Sequence, residues 1–310
     1  MIALLAPGQG SQNPGMLLPW LDDPTAEETL ARWSGAIGLD LRHLGTEADA
    51  EEIKDTAVTQ PLVVAAALLA AARLFARVGL PVAAPVAGHS VGELAAAAVA
   101  GVLTPDAAVA LAAVRGREMA TACALEPTGM SAVLGGKPDE VLARLDELGL
   151  DPANRNAAGQ VVAAGSVAAL AALAEDPPER ARVKPLPVAG AFHTRFMAPA
   201  EEAMRSHAAG VSPADPTRPL LSNSDGTVVT DGAEALRRLV AQVTRPVRWD
   251  SCMSTLRELG VTAVIELPPA GALVGLVKRD LKGTATLALK TPDDLATAVD
   301  LITEHAGADK

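Results

Sequence analysis

Apolar runs and polar breaks alternate along this 310-residue chain in a strand, turn, helix rhythm. Ile2–Ala6 is a short apolar run closed by Pro7 and Gly8, the pattern of a buried strand ending in a turn. A second run, Val82–Ala87, leads through Gly88-His89-Ser90-Val91-Gly92 into an alanine-rich helix. Val63–Ala72 is apolar on every side but stops at Arg73, well short of the roughly 20 residues a membrane span needs, so it reads as a buried helix. Thr104, Pro105 and Asp106 form a helix start, with a hydroxyl cap, a proline at the first position and an acid in the first turn; that helix should run to about Cys123. Thr291-Pro292-Asp293-Asp294 repeats the signal before the last helix.

Between about Glu126 and Val188 the rhythm changes. A strand is expected at Ser131–Leu134, a helix at Pro138–Leu148, a strand at Val161–Ala164, a helix at Val167–Ala174 and an extended stretch at Arg182–Pro187. This β-α-β-α-β alternation suits a small ferredoxin-like insert, bracketed by the turn-prone Pro127-Thr128-Gly129 and Ala189-Gly190. Strands near Leu220–Asn223, Ala263–Leu267 and Thr286–Leu289 then resume the main sheet.

Composition narrows the picture. With 49% hydrophobic but only 2% aromatic residues, the core must be packed by Ala, Val and Leu. A net charge of −11 argues against nucleic acid as a partner, because phosphate backbones demand a large basic surface. The two cysteines, Cys123 and Cys252, are too few for a disulfide framework and have no metal-ligand spacing, so no metal is expected. The first apolar run is too short for a signal segment and no Lys or Arg precedes it, so a cytoplasmic protein without membrane association is expected.

Gly88-His89-Ser90-Val91-Gly92 is a G-x-S-x-G between a strand and a helix, the setting of a nucleophile elbow. A sharp turn there lifts the Ser90 hydroxyl clear of the sheet, and the helix N-terminus beneath favours negative charge at the reacting centre. A serine needs a base, and the chain has five histidines. His89 lies inside the elbow, with its side chain expected to point away from Ser90; His305 sits in a polar tail; His43 and His207 lie in ordinary surface segments. His193, in Gly190-Ala191-Phe192-His193-Thr194-Arg195, stands where the insert rejoins the main domain and is the favoured base. An oxyanion hole would use the backbone N–H of Val91 and a second donor. The turn Gly8-Gln9-Gly10-Ser11-Gln12 after the first strand can offer one, although such a turn can equally cradle a phosphate. Arg115 shares a helix face with Ala108, Leu111, Ala112 and Met119. An arginine on an apolar stripe either grips a carboxylate, makes a structural ion pair or snorkels to solvent.

Taken together, Pro7–Gln12, Gly88–Glu93, Val114-Arg115-Gly116, Ala191-Phe192-His193 and Pro246-Val247-Arg248-Trp249 resemble, in order, the signature segments of the malonyl-CoA:acyl carrier protein transacylase family, which includes the acyltransferase domains of polyketide and fatty-acid synthases. The resemblance spans nearly the whole chain. It implies an α/β fold: an α/β-hydrolase-like main domain with a parallel sheet, formed by residues 1–125 and 189–310, carrying the ferredoxin-like insert at 126–188. It also implies that Ser90 is the nucleophile, His193 the base, Arg115 the clamp on the malonyl carboxylate, and the N–H groups of Gln9 and Val91 the oxyanion hole. The Gln242 backbone carbonyl would orient the base in place of an acidic residue, and Phe192 beside His193 matches the malonyl-selective pattern. The implied partners are malonyl-CoA and an acyl carrier protein, approached through a local basic patch for which Arg195, Lys278, Arg279 and Lys282 are candidates. No cofactor is implied, the coenzyme A thioester being substrate, and the protein is expected to be a monomer. Two departures, Arg245 before Pro246-Val247 and the segment Leu267-Pro268-Pro269-Ala270-Gly271, alter loop shape near acceptor docking. The rival readings are a serine esterase or thioesterase, whose base would be a late histidine such as His305, and a non-catalytic acyl-binding scaffold.

Overall fold

The computed structural model describes residues 1–156 and 159–306. In chain order the first half of the main unit comprises β1 (Ile2–Ala6), α1 (Pro24–Ile37), α2 (Leu41–Thr46), α3 (Thr56–Phe75), β2 (Val86–Gly88), α4 (Gly92–Val99) and α5 (Pro105–Cys123). A separate run follows, of β3 (Thr128–Gly135), α6 (Pro138–Glu147), β4 (Asp151–Arg155), β5 (Gln160–Ser166), α7 (Val167–Glu175) and β6 (Ala181–Pro185). The chain then returns with α8 (Ala198–Ala208), β7 (Leu220–Leu221), β8 (Val228–Val229), α9 (Gly232–Ala241), α10 (Trp249–Glu258), β9 (Ala263–Glu266), α11 (Ala272–Asp280), β10 (Ala285–Ala288) and α12 (Leu295–His305).

The strands form two sheets. The larger has the order β10-β9-β1-β2-β7-β8, parallel except for β8, which pairs antiparallel with β7 at the edge. Because side chains alternate along a strand, Ile2, Leu4 and Ala6 enter one apolar core while Ala3 and Leu5 enter a second core on the opposite face with Trp249, Met253 and Val277. Helices therefore cover both faces, as a parallel sheet requires. The register Ala6↔Gly88 brings the C-terminal ends of β1 and β2 level, so the loops after them meet at one edge. Ligands in open α/β sheets bind at that edge.

α3 is long and apolar enough to cross a membrane by length and composition, but 78% of its apolar window is buried against the rest of the fold. α5 starts as its sequence demands, with the Thr104 hydroxyl accepting from the Ala107 N–H at 3.1 Å and Pro105 at the first position.

The smaller sheet is antiparallel throughout, in the order β4-β5-β3-β6, and α6 and α7 close its own core of Val133, Val141, Leu145, Leu170 and Leu173. It has four strands where three were expected. The extra strand, Asp151–Arg155, is polar in sequence and carries no apolar alternation. What holds it extended is backbone pairing with β5 on one side and, on the other, with Val247, whose N–H donates to Ala153 O and whose carbonyl accepts from Arg155 N, both at 2.9 Å. Two further expectations need correction. Of the run Val82–Ala87 only Val86 and Ala87 are strand; Val82 is exposed on a turn, because Pro81 and Pro85 break the ladder. Thr291–Asp294 forms a separate short turn, with Asp294 accepting from the N–H groups of Lys290 and Thr291, and α12 begins only at Leu295.

Candidate active site

The elbow lies between the end of β2 and the start of α4. Both of its glycines are imposed by crowding: a Cβ at Gly88 would fall 2.1 Å from the Gly92 carbonyl, and one at Gly92 would fall 2.4 Å from Ala6 O and 2.5 Å from Pro7 O. Tight packing against the β1 loop forces the intervening chain up, and Ser90 adopts a φ of 54°, a left-handed conformation rare outside glycine. The turn is secured by Asn223, whose Oδ1 accepts from the Ser90 N–H at 2.8 Å and whose Nδ2 donates to Gly88 O at 2.7 Å.

His193 arrives from the segment that returns from the small sheet. Ala191 N donates to Thr128 Oγ1 at 3.0 Å and Thr194 Oγ1 donates to Ala191 O at 2.6 Å, which pins the loop around a His193 φ of 61°. Its ring bridges two partners: Nε2 lies 2.7 Å from Ser90 Oγ and Nδ1 lies 2.8 Å from the Gln242 backbone oxygen. A carbonyl only accepts, so Nδ1 carries the hydrogen and Nε2 is left as the acceptor of the serine proton. Burial first, then the positive charge of Arg115, pulls the His193 pKa down to about 3, so the imidazole rests neutral.

Arg115 projects from α5 beneath these residues and is 1% exposed. Nη1 donates to Gln60 Oε1 at 2.7 Å, Nη2 donates to Gln242 Oε1 at 3.0 Å and reaches Ser90 Oγ at 3.3 Å, and Nε has no partner among the described residues. Burial lowers its pKa to about 10, the carboxylate of Glu93 opposing that shift. Of the three fates open to this arginine, the snorkel is excluded by burial, and no carboxylate among the described residues pairs with it directly. A buried guanidinium held by two neutral carboxamides, next to a serine hydroxyl, has no carboxylate in direct contact and suits one supplied by a substrate.

Behind Arg115, the buried Glu93 carboxylate accepts from Asn223 N at 3.1 Å and from Gln242 Nε2. Burial pushes its pKa up to about 7.

The backbone N–H groups of Gln9 and Val91 donate to no protein acceptor among the described residues, while the Gln9 side-chain amide donates to Thr56 Oγ1 at 3.0 Å. Gln9 belongs to the β1 loop that touches the elbow, since a Cβ at Gly8 would lie 2.7 Å from His89 O. Beside it opens a groove of about 260 Å³, lined by Gly8, Gln9, Ser11, His89, Asn156 and Arg279. His89 faces away from Ser90, its Nε2 bonded to Asn156 Oδ1 at 2.9 Å. His305 is spoken for by Thr262 Oγ1 at 2.8 Å, at the end of α12 rather than in a loose tail, and His43 lies between Glu47 and Glu52 on the surface. Phe192 is buried in the main core adjoining His193. Lys278 and Arg279 end α11, with Lys282 just beyond, and Arg195 stacks 4.9 Å over the Phe196 ring. No cluster of three or more metal-binding side chains occurs among the described residues.

The fold brings Ser90, His193, Arg115 and Gln242 together, and adds Asn223, Glu93, Gln60 and the Gln242 side chain, which the sequence does not single out. A signal existed for Glu93, a lone charge in an otherwise apolar helix start, and for Asn223, the polar end of a predicted parallel strand.

A serine bonded to a neutral imidazole on a strand–turn–helix elbow, with a buried cation alongside, defines an enzyme of the acyl-transfer class. The family model described as acyl transferase domain matches residues 4–301. The malonyl CoA-acyl carrier protein transacylase of Mycobacterium tuberculosis (strain ATCC 25618 / H37Rv) is 61% identical over 304 residues, covering 97% of this chain and 100% of that protein. A crystal structure of the transacylase from Mycobacterium tuberculosis superposes with a TM-score of 0.93 at 60% identity, over 96% of this chain and 99% of that one. A malonyl-transacylase solved in complex with its type II polyketide-synthase acyl-carrier protein gives a TM-score of 0.88 at 30% identity, over 96% and 99% of the two chains. The chain belongs to the malonyl-CoA:acyl carrier protein transacylase family.

Proposed function

We propose that this enzyme moves a malonyl group from malonyl-CoA to the phosphopantetheine thiol of an acyl carrier protein through a malonyl-Ser90 intermediate. One observation carries the reading: Ser90 Oγ lies 2.7 Å from a neutral imidazole nitrogen and 3.3 Å from an arginine that lacks a carboxylate partner.

In the proposed cycle His193 Nε2 takes the Ser90 proton as Oγ attacks the thioester carbonyl. The N–H groups of Gln9 and Val91 receive the oxyanion, while Arg115 holds the substrate's free carboxylate. As the intermediate collapses, the C–S bond breaks and the coenzyme A sulfur takes the proton from His193. The carrier thiol then repeats the sequence in reverse, giving its proton to His193 and taking the acyl group, after which Ser90 recovers its proton. The Gln242 carbonyl keeps the imidazole in the Nδ1–H form throughout. Phe192, packed beside the base, is read as limiting the room for branched acyl groups.

The finer architecture belongs to the same proposal: residues 1–125 and 189–310 as an α/β-hydrolase-like catalytic domain, and 126–188 as a ferredoxin-like insert, a reading favoured by its β-α-β-β-α-β order. The groove by Gln9 and the basic residues Lys278, Arg279, Lys282 and Arg195 are read as the approach for the pantetheine arm and its acidic carrier. No metal or redox cofactor enters the cycle, the thioester being substrate, and a cytoplasmic monomer without membrane attachment is proposed. The esterase reading with a late histidine as base is disfavoured, because His305 is bonded to Thr262 while His193 holds the Ser90 hydroxyl.

The test is intact mass spectrometry after mixing with malonyl-CoA and no acceptor. A malonyl adduct that is absent from Ser90→Ala and passes to added carrier protein is expected. Coenzyme A release without an adduct, continuing to water when carrier is present, would establish a hydrolase.

A further inference from the structure

Arg115 has to remain charged in a buried site and yet keep its donors available, and the structure separates these two requirements. Two carboxamides, Gln60 and Gln242, hold the guanidinium in place, while the nearest carboxylate, Glu93, stands one amide further back. A carboxylate placed directly on the guanidinium would occupy the bidentate face that an acyl carboxylate needs. Set behind Gln242, it offsets the charge without itself occupying a guanidinium donor, so that Nε and one Nη1 hydrogen have no partner among the described residues and Nη2 meets only the neutral Gln242 and Ser90 oxygens.

The Gln242 amide is what transmits the arrangement. A carboxamide can be turned end for end at little internal cost, so its orientation depends on what faces each end. Its nitrogen end faces three acceptors: the Glu93 carboxylate, Ser90 O at 3.1 Å and Asn223 Oδ1 at 3.2 Å. Its oxygen end faces Arg115 Nη2 at 3.0 Å. Reversed, the amide would set its oxygen against the carboxylate and its N–H groups against the guanidinium. Of the three acceptors only Glu93 is ionisable, and above its pKa of about 7 the hydrogen bond to its carboxylate is about twice as strong as a neutral one, so there Glu93 supplies the largest part of the bias.

We propose that Glu93 is a positioning residue for acyl selectivity: through the Gln242 carboxamide it holds the Arg115 guanidinium oriented and open for a substrate carboxylate. The inference rests on reading Arg115 as the carboxylate clamp. Glu93 touches neither substrate nor the reacting atoms, and its effect is expected in the preference for malonyl over acetyl groups rather than in serine chemistry as such.

The experiment measures, at pH 8 where Glu93 is ionised, loading rates from malonyl-CoA and from acetyl-CoA for the parent, Glu93→Gln, Gln242→Met, Arg115→Ala and the Glu93→Gln/Arg115→Ala double variant, with a thermal melt of each. Glu93→Gln keeps shape and loses charge. It should lower kcat/KM for malonyl loading by about tenfold, chiefly through KM, with acetyl loading changed by less than about threefold. Gln242→Met, which keeps the backbone carbonyl on His193 but removes the bridge, should lower the preference similarly and serves as the test if Glu93→Gln does not fold. In the Arg115→Ala background the added Glu93→Gln should leave the preference where it was, because two residues acting through one group are not additive. An unchanged preference in Glu93→Gln or Gln242→Met, or equal losses with both thioesters, overturns the proposal. If Arg115→Ala itself keeps the parent's preference, the clamp reading fails first, and that failure is recognisable because it does not involve Glu93.

Discussion

Ser90 and His193, joined by a 2.7 Å contact between Oγ and Nε2, both sit in the left-handed region, at φ values of 54° and 61°. Only one other non-glycine residue among the described residues does so, Arg180 in a turn of the small sheet. The two partners are therefore brought into reach by backbone conformations that neither side chain favours, and the packing around Gly88, Gly92 and Ala191 holds them there.

That strain is measurable. Ser90→Gly should be more stable than Ser90→Ala by about 1 kcal/mol in denaturant melts, because glycine adopts a positive φ without penalty. Both variants lose the hydroxyl, so the difference isolates the backbone term. Equal midpoints would show that the elbow holds Ser90 at no cost.

The imidazole of His193 should stay neutral across the working range. Burial and the Arg115 charge lower its pKa to about 3, below the ordinary value of 6.5. In ¹⁵N-histidine NMR its ring should keep the Nδ1–H form down to at least pH 5, and a titration midpoint near 6.5 would sink the assignment. The sign for stability follows. The unfolded chain takes up a proton at His193 near pH 6.5 and the native state does not, so this residue's contribution is intact above that pH and is lost as pH falls from 6.5 towards 3.

Much of this site was legible in the sequence because its parts carry local patterns. The G-x-S-x-G after a strand, an arginine on an aliphatic stripe and a histidine at a joint each stand out from their neighbours. Asn223 and Gln60 do not, because one polar residue at a strand end or in a helix looks like many others until the fold brings it against a distant backbone. The β4 strand was hidden for the same reason: Asp-Pro-Ala-Asn-Arg is extended because Val247 and β5 pair with it, not because of its side chains. The helices Pro24–Ile37 and Leu41–Thr46 begin at Asp23 and Asp40, whose side chains cap them, but neither has the apolar run that marks the helices of the core.

Two glycine replacements should move stability in opposite directions. Gly92→Ala places a Cβ 2.4 Å from Ala6 O, and since both sides of the clash are backbone, nothing can step aside. A loss of about 3 kcal/mol or more is expected, with failure to form the malonyl adduct. Gly35→Ala, in the exposed part of α1 with no atom within 4 Å of the new Cβ, should instead gain about 0.5–1 kcal/mol from helix propensity. Calorimetric melts of the two against the parent decide both; a tolerated Gly92→Ala would mean that the β1 loop can retreat from the elbow.

Asn223 tests how the elbow is fastened. Fully buried, it accepts from Ser90 N at 2.8 Å, donates to Gly88 O at 2.7 Å and gives its own N–H to Glu93 at 3.1 Å. Asn223→Ala leaves a buried N–H and a buried carbonyl unmatched, which should cost about 2–4 kcal/mol. Asn223→Asp keeps the shape and the acceptor but turns the Gly88 contact into oxygen facing oxygen and sets a second carboxyl beside Glu93. It should be at least as destabilising as the alanine near pH 8, and should recover part of the loss near pH 5, where one of the two acids holds a proton and can donate it. Urea melts at the two pH values read this directly. If Asn223→Asp matches the parent at pH 8, the side-chain nitrogen is dispensable, and the Ser90 turn is held by packing of Gly88 and Gly92 alone.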